Sequence, residues 1–202
     1  MKKLLVIIVL SLLWSGNTYS QNLKFTKIVN LDDPWGSSFI NDYELVITQK
    51  GGKIKIINLK TKSVSVVDHN LNFSEVGQGG LLDIIYKEEY FWISYTENRG
   101  DYKTSTSIAR GKFNRDKINF KNIFQANPPI DSGYHFGSRL AIKNNYLFAS
   151  IGERGEGMIA QDFTKHPGSI IRIHLNGSIP KDNPKFKKRK DWLPEIYQIG
   201  VR

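Results

Sequence analysis

The sequence predicts an all-β protein made of short antiparallel strands in repeated meanders. Three observations carry this. Apolar and polar residues alternate with a period of two in segment after segment, turn residues recur at short intervals between those segments, and amphipathic helical spacing is nearly absent. The clearest unit is the hairpin of Tyr43-Glu44-Leu45-Val46-Ile47-Thr48 and Lys53-Ile54-Lys55-Ile56-Ile57-Asn58 around the turn Gln49-Lys50-Gly51-Gly52. Lys53 and Lys55 alternate there with Ile54 and Ile56, as a half-buried strand requires.

The same rhythm continues along the chain. Val64-Ser65-Val66-Val67 pairs next to that hairpin after a Lys-Thr-Lys turn. A second meander runs through residues 81–86, 89–96, 105–113 and 118–120, and a third through 140–143, 146–151 and 169–175, which closes on Asn176-Gly177. Glu195 to Arg202 reads as one more apolar strand entering a turn. Meanders in series, each ending in a longer loop, predict a β-propeller, because radial repetition protects strand edges without full barrel closure. At about 40–45 residues per repeat the chain supplies about three to four blades, where a closed propeller typically needs about four to eight. A β-sandwich is the alternative that the same pattern allows.

The amino terminus has a different character. Lys2-Lys3 precede the apolar run Leu4 to Trp14, followed by polar residues and a small-residue site at Thr18-Tyr19-Ser20. This predicts a signal peptide over residues 1–20, export to the periplasm or medium, and a mature domain over 21–202. The run is shorter than the ~20 residues of a membrane span, so no stable membrane insertion is expected after cleavage. The chain contains no Cys, which excludes an acylated N-terminal cysteine and any disulfide. Removing residues 1–20 deletes Lys2 and Lys3 and no acid, so the formal charge falls from +10 to +8. The basic runs Lys50 to Lys62 and Lys185 to Lys190 read as strand faces and loops, and no nucleic-acid recognition motif is present, so no nucleic-acid partner is expected. An anionic small ligand suits the charge.

Function in such folds resides on loops held by a rigid scaffold, and four loops stand out. Val76-Gly77-Gln78-Gly79-Gly80 leaves Gln78 as the one side chain able to meet a ligand. Asn127-Pro128-Pro129-Ile130-Asp131-Ser132-Gly133-Tyr134 leads into His135, whose imidazole is the side chain best suited to accept a proton near neutral pH. Gly152-Glu153-Arg154-Gly155-Glu156-Gly157 leads to Ala160-Gln161-Asp162, and Gly200-Val201-Arg202 is the fourth. His69, His166 and His174 read as solvated or loop residues, Arg139 as a structural ion-pair partner, and Arg154 as either a turn cation or a cofactor contact.

In this order the loops resemble those of the secreted PQQ-dependent aldose sugar dehydrogenases, the family of soluble glucose dehydrogenase and the glucose/sorbosone dehydrogenase domain. The resemblance rests on Asp33-Pro34-Trp35-Gly36, Gly77-Gln78-Gly79-Gly80-Leu81-Leu82-Asp83, His135-Phe136-Gly137-Ser138-Arg139-Leu140 and Ile151-Gly152-Glu153-Arg154-Gly155. It continues through Ala160-Gln161-Asp162, residues 177–184, Glu195-Ile196-Tyr197 and Gly200-Val201-Arg202. The resemblance implies a six-bladed propeller of which this chain is the N-terminal part, with pyrroloquinoline quinone (PQQ) and calcium as cofactors and an aldose as substrate. It implies that His135 is the general base taking the C1 hydroxyl proton while hydride passes from C1 to the quinone, yielding the lactone. It likewise implies that Arg202 and Gln161 bind the cofactor and that Gln78 binds substrate or orients the base. The family's Asn-Pro-Gln-Gly after the arginine and its calcium loops have no counterpart here, so calcium ligands are expected beyond Arg202 and the 202 residues alone are expected to be inactive. Tyr134 stands where some glucose-oxidising members carry an Asp, and the electron acceptor is left open. A noncatalytic propeller binding a carbohydrate or a protein is the alternative reading.

Overall fold

The computed structural model describes residues 23–185 and 189–202. The leader predicted over 1–20 and the centre of the basic run at 185–190 lie outside the described residues.

Three antiparallel meanders account for nearly all of the regular structure. Blade 1 runs β1 (Pro34–Asn41), β2 (Glu44–Gln49), β3 (Lys53–Asn58) and β4 (Val64–His69). Blade 2 contains β5 (Leu81–Lys87), β6 (Tyr90–Asn98), β7 (Thr104–Lys112) and, after a two-residue β8 (Lys117–Ile118), β9 (Lys121–Gln125). Blade 3 contains β10 (Gly137–Lys143), β11 (Tyr146–Ile151), β12 (Ser169–His174) and β13 (Ile196–Ile199), with a 3₁₀ turn at Gly157–Gln161 between the second and third of these. The first strands lie side by side, β1 against β5 and β5 against β10, which is the radial arrangement of propeller blades.

Side-chain alternation explains how the blades stack. Val46, Ile54 and Ile56 of blade 1 face Ile84, Phe91, Ile93 and Tyr95 of blade 2 in one core. Trp92, Ile108 and Phe124 on the other side of blade 2 face Leu140, Leu147, Ile171 and Ile173 of blade 3 in a second. Blade 2 is apolar on both faces because it is covered on both.

A repeated hydroxyl clasp ties the inner strands together. Each inner strand carries a register irregularity near its start, at Pro34/Ser37, Leu81/Ile84 and Gly137/Leu140. A bulge frees a backbone N–H from the ladder. A hydroxyl from the blade's second strand accepts it: Gly36 N–H donates to Thr48 Oγ1 (2.9 Å), Asp83 N–H to Ser94 Oγ (3.0 Å) and Arg139 N–H to Ser150 Oγ (3.1 Å). The first two hydroxyls donate onward across the blade boundary, Thr48 to the Leu82 carbonyl and Ser94 to the Ser138 carbonyl (2.6 Å). Asp83, buried at the same level, accepts from Arg139 Nη1 (3.1 Å) and from Leu140 N–H (2.9 Å), so Arg139 is the structural ion-pair partner expected.

Two strand assignments differ from the sequence reading. Residues 118–120 do not continue the second meander: Lys117–Ile118 runs parallel to β4 of blade 1, and Ile118 and Phe120 fill the core between blades 1 and 2. The outer strand of blade 2 is Lys121–Gln125, where only Phe124 is buried and the apolar alternation is correspondingly weak. The innermost strand β1 was also unmarked, since Pro34 and Gly36 punctuate it and only Gly36 is buried.

Candidate active site at His135

His135 sits in the loop from β9 to β10 with φ at +46°, and Gly137 and Ser138 after it also have positive φ. A left-handed histidine needs external support, and two other loops provide it. Gln78 accepts the His135 backbone N–H on its Oε1 at 2.9 Å, while the Gln78 N–H donates to the Gly133 carbonyl at 2.8 Å. A Cβ at Gly77 would lie 2.3 Å from that carbonyl, so glycine is required for the two backbones to touch. From blade 3, Arg154 N–H donates to the His135 carbonyl at 3.2 Å. Any side chain at Gly152 would collide with the same carbonyl, 1.9 Å from a Cβ there.

The imidazole bridges an acid and a cation. Its Nδ1 lies 2.5 Å from Glu153 Oε1, and its Nε2 lies 3.3 Å from Arg202 Nη2. A carboxylate only accepts and a guanidinium only donates. Nδ1 therefore carries the hydrogen and Nε2 presents its lone pair. Glu153 is buried and Gly155 N–H donates to its other oxygen at 2.8 Å. Burial alone would raise the Glu153 pKa, but the Gly155 and His135 hydrogen bonds and the charge of Arg202 outweigh it and hold the carboxyl below its ordinary value. The ring keeps about a quarter of its surface open, with a side-chain exposure of 26%.

The other predicted site residues separate into two groups. Gln161, at the end of the 3₁₀ turn, lies with its Nε2 3.2 Å from where a Cβ of Gly200 would be, against the residue two before Arg202. Among the described residues no hydrogen bond joins it to His135, and its amide has no hydrogen-bond partner. Arg154 turns away from the site and is 2% exposed. Its Nη1 donates to the Thr104 carbonyl and its Nη2 to Thr104 Oγ1, each at 2.9 Å, its Nε to the Tyr134 carbonyl at 3.0 Å and Nη2 also to the Ser132 carbonyl. Its guanidinium lies 3.7 Å from the Phe136 ring centre. Burial pulls its pKa down to about 10 against the opposing charge of Glu153. Arg154 is therefore the bolt between the His135 loop and β7.

Three further points refine the sequence reading. Glu153 was not singled out as a partner of His135, since an acid in a glycine-rich loop reads as a turn residue and only its position after β11 set it apart. His166 is a loop residue as expected but is buried, accepting the Asn127 N–H on Nδ1 at 3.0 Å with Nε2 3.6 Å from Glu195. His69 and His174 end strands β4 and β12 and are partly buried, so neither is a solvated loop residue. Among the described residues no group of His, Cys, Asp or Glu converges into a metal site, and no helix is long and apolar enough to cross a membrane.

Comparison with known proteins gives the following matches. The family model described as Glucose / Sorbosone dehydrogenase matches residues 31–202. Aldose sugar dehydrogenase YliI of Escherichia coli (strain K12) is 32% identical over 182 residues, covering 85% of this chain and 49% of that protein. Quinoprotein glucose dehydrogenase B of Acinetobacter calcoaceticus is 26% identical over 208 residues, covering 86% of this chain and 43% of the relative. The crystal structure of the soluble aldose sugar dehydrogenase from Escherichia coli in its apo-form superposes with a TM-score of 0.80 at 33% identity, covering 85% of this chain and 52% of that one. The chain spans about half the length of the curated relatives it matches.

Proposed function

Because this chain belongs to the glucose/sorbosone dehydrogenase family, we propose that it carries the proton-accepting side of a quinone-dependent site that oxidises C1 of an aldose to the lactone. The observation that supports this most directly is the Glu153–His135–Arg202 chain of contacts, which leaves an unprotonated, partly exposed Nε2 as the only acceptor on the ring. His135 Nε2 accepts the C1 hydroxyl proton, and the resulting imidazolium is balanced by Glu153, 2.5 Å from the opposite nitrogen. Gln78 acts here through the backbone, holding the His135 loop in its left-handed turn, and its amide nitrogen is available to a substrate hydroxyl.

PQQ fits the residues present, since a tricarboxylate quinone needs hydrogen-bond donors: the Gln161 amide has no protein partner among the described residues, and Arg202 keeps N–H groups beyond the one that faces His135 Nε2. When bound, it supplies the acceptor for the hydride leaving C1. Arg202 and Gln161 would hold it, Arg202 adding a fixed cation next to the carbonyl region. Calcium belongs to the same reading, with ligands assigned outside this chain. Residues 1–20 direct export to the periplasm or medium, and the 202 residues alone lack turnover, a reading supported by the share of the relatives that they span.

The test is dye-linked aldose oxidation by the protein purified from its own host with PQQ and calcium. His135→Gln is expected to lower kcat by about 10²–10⁴-fold while quinone binding, followed by absorbance, is retained. Undiminished turnover would remove His135 from the chemistry.

A further inference from the structure

The ends of blades 2 and 3 remote from His135 hold a second polar cleft. A cavity of ≈ 390 Å³ opens between them, lined by Arg110 on β7, Asn145 in the β10–β11 turn, His174 at the end of β12, and Leu175, Asn176 and Ser178 beyond it. Ser169, at the other end of β12, pairs with Ile199 next to Gly200. Five strand steps of about 3.3 Å each therefore separate the cleft from the Arg202 end of the blade.

Arg110 is an unbalanced cation. Its guanidinium lies 3.6 Å from the Tyr90 ring centre and 5.4 Å from that of Trp92, whose indole N–H donates to the Leu175 carbonyl at 2.9 Å and so fixes the wall between the blades. Among the described residues Arg110 makes no hydrogen bond and no ion pair, and its Nε is buried without an acceptor. No acid is among the lining residues; Asp182, four residues past Ser178, pairs with Arg172 at 2.7 Å, and Glu88 and Glu89, just before Tyr90, pair with Lys87 and Lys112, each at 3.5 Å. The remaining lining adds donors. The His174 ring packs on Tyr146 at 5.0 Å between centres and has no hydrogen bond on either nitrogen among the described residues. Asn176 Oδ1 is taken by the N–H and O–H of Ser178, at 3.0 and 2.7 Å, which leaves its NH₂ to face a ligand.

We propose that this cleft binds a small hydroxylated monocarboxylate, its carboxylate against the edge of Arg110 and its hydroxyls toward His174, Asn145 and Asn176. A guanidinium stacked flat on an aromatic ring presents its N–H edge outward, and that planar fork matches a carboxylate in two parallel hydrogen bonds. One permanent cation with no acid in the lining balances one negative charge, whereas a phosphate dianion would leave charge uncompensated. The volume lies within the range of about 300–1,000 Å³ typical of small-ligand sites. Both blades that form the cleft are in this chain, so the site does not depend on the His135 chemistry.

The full chain, labelled with ¹⁵N, is titrated with gluconate, with inorganic phosphate and with glucose as the neutral control. Gluconate is expected to shift the Arg110 Nε–H and Trp92 indole N–H resonances saturably, with a Kd in the millimolar range. Arg110→Gln is expected to weaken binding by about tenfold or more. His174→Gln, which leaves the Arg110–Tyr90 stack in place, weakens it by about threefold. Where Arg110→Gln loses its dispersed spectrum, Arg110→Lys replaces it, keeping the charge without the fork, with about fivefold weaker binding expected. Absence of a saturable shift with gluconate, equal binding by the Arg110 variants, or phosphate or glucose binding as tightly as gluconate overturns the assignment.

Discussion

At 2.5 Å from Nδ1, the Glu153 carboxylate restricts His135 to one tautomer, since an ionised carboxylate cannot donate. An amide of the same size can donate or accept and removes that restriction. Glu153→Gln is therefore expected to convert part of the His135 population to the Nε2–H tautomer, read from the ring ¹⁵N shifts, and to reduce kcat by about 10²-fold or more with little change in quinone binding. An unchanged tautomer together with unchanged kcat would reduce Glu153 to packing. Its neighbour Arg154 faces the opposite way, into carbonyls of the His135 loop and β7. Sequence adjacency thus joins an orienting acid and a structural cation, and the two-way reading of Arg154 resolves as structural because burial with four acceptors leaves it nothing to offer a ligand.

Among the elements, the hydroxyl clasps explain how loops from different blades stay in register around His135. Ser94 is fully buried, accepts from Asp83 N–H and donates to the Ser138 carbonyl, three residues past His135. Ser94→Ala removes the hydroxyl partner of one N–H and one carbonyl at a buried boundary, and is expected to lower unfolding stability by about 1–3 kcal/mol in urea melts. A loss within experimental error would show that water replaces the hydroxyl. At this scale the sequence was informative where strands are regular: the β2–β3 hairpin pairs Glu44 with Asn58 through Gln49 with Lys53, closing on Gly52 in the left-handed region as its turn chemistry indicates. It was silent on β1 and misleading at 118–120. Inner strands are bulged and outer strands half solvated, so neither shows the clean period-two pattern on which such reading depends.

For the molecule as a whole, acid sensitivity is written into blade 3 and its contact with blade 2. The His166 ring, its Nε2 3.6 Å from Glu195, holds the Glu195 pKa below its ordinary value against the effect of burial, and Glu153 is likewise depressed on balance. A depressed folded pKa contributes stability that is full above the unfolded pKa of about 4.3 and is lost as pH falls through the folded value. The melting temperature is expected to hold above about pH 5 and to decline below about pH 4. Glu195→Gln should flatten that decline, and parallel curves for variant and parent would exclude Glu195 as a contributor.

Local physics accounts for what could be read without coordinates. Side-chain alternation and turn residues act within a few positions, so the all-β class, most strands and the glycine-rich loops bearing Gln78, His135, Gln161 and Arg202 were legible, and their order carried the family resemblance. What those loops do to one another was decided only in three dimensions. Gln78 is 57 residues from the backbone amide it holds, Glu153 is 18 from the ring it orients, and Arg202 is 67 from the lone pair it faces. Such separations are closed by blades fanning about a common centre, through glycines that let backbones touch and hydroxyls that cross blade boundaries. Arg110 is the same lesson in reverse, since a lysine- and arginine-rich sequence cannot reveal that this arginine is stacked on Tyr90 with no ion pair among the described residues.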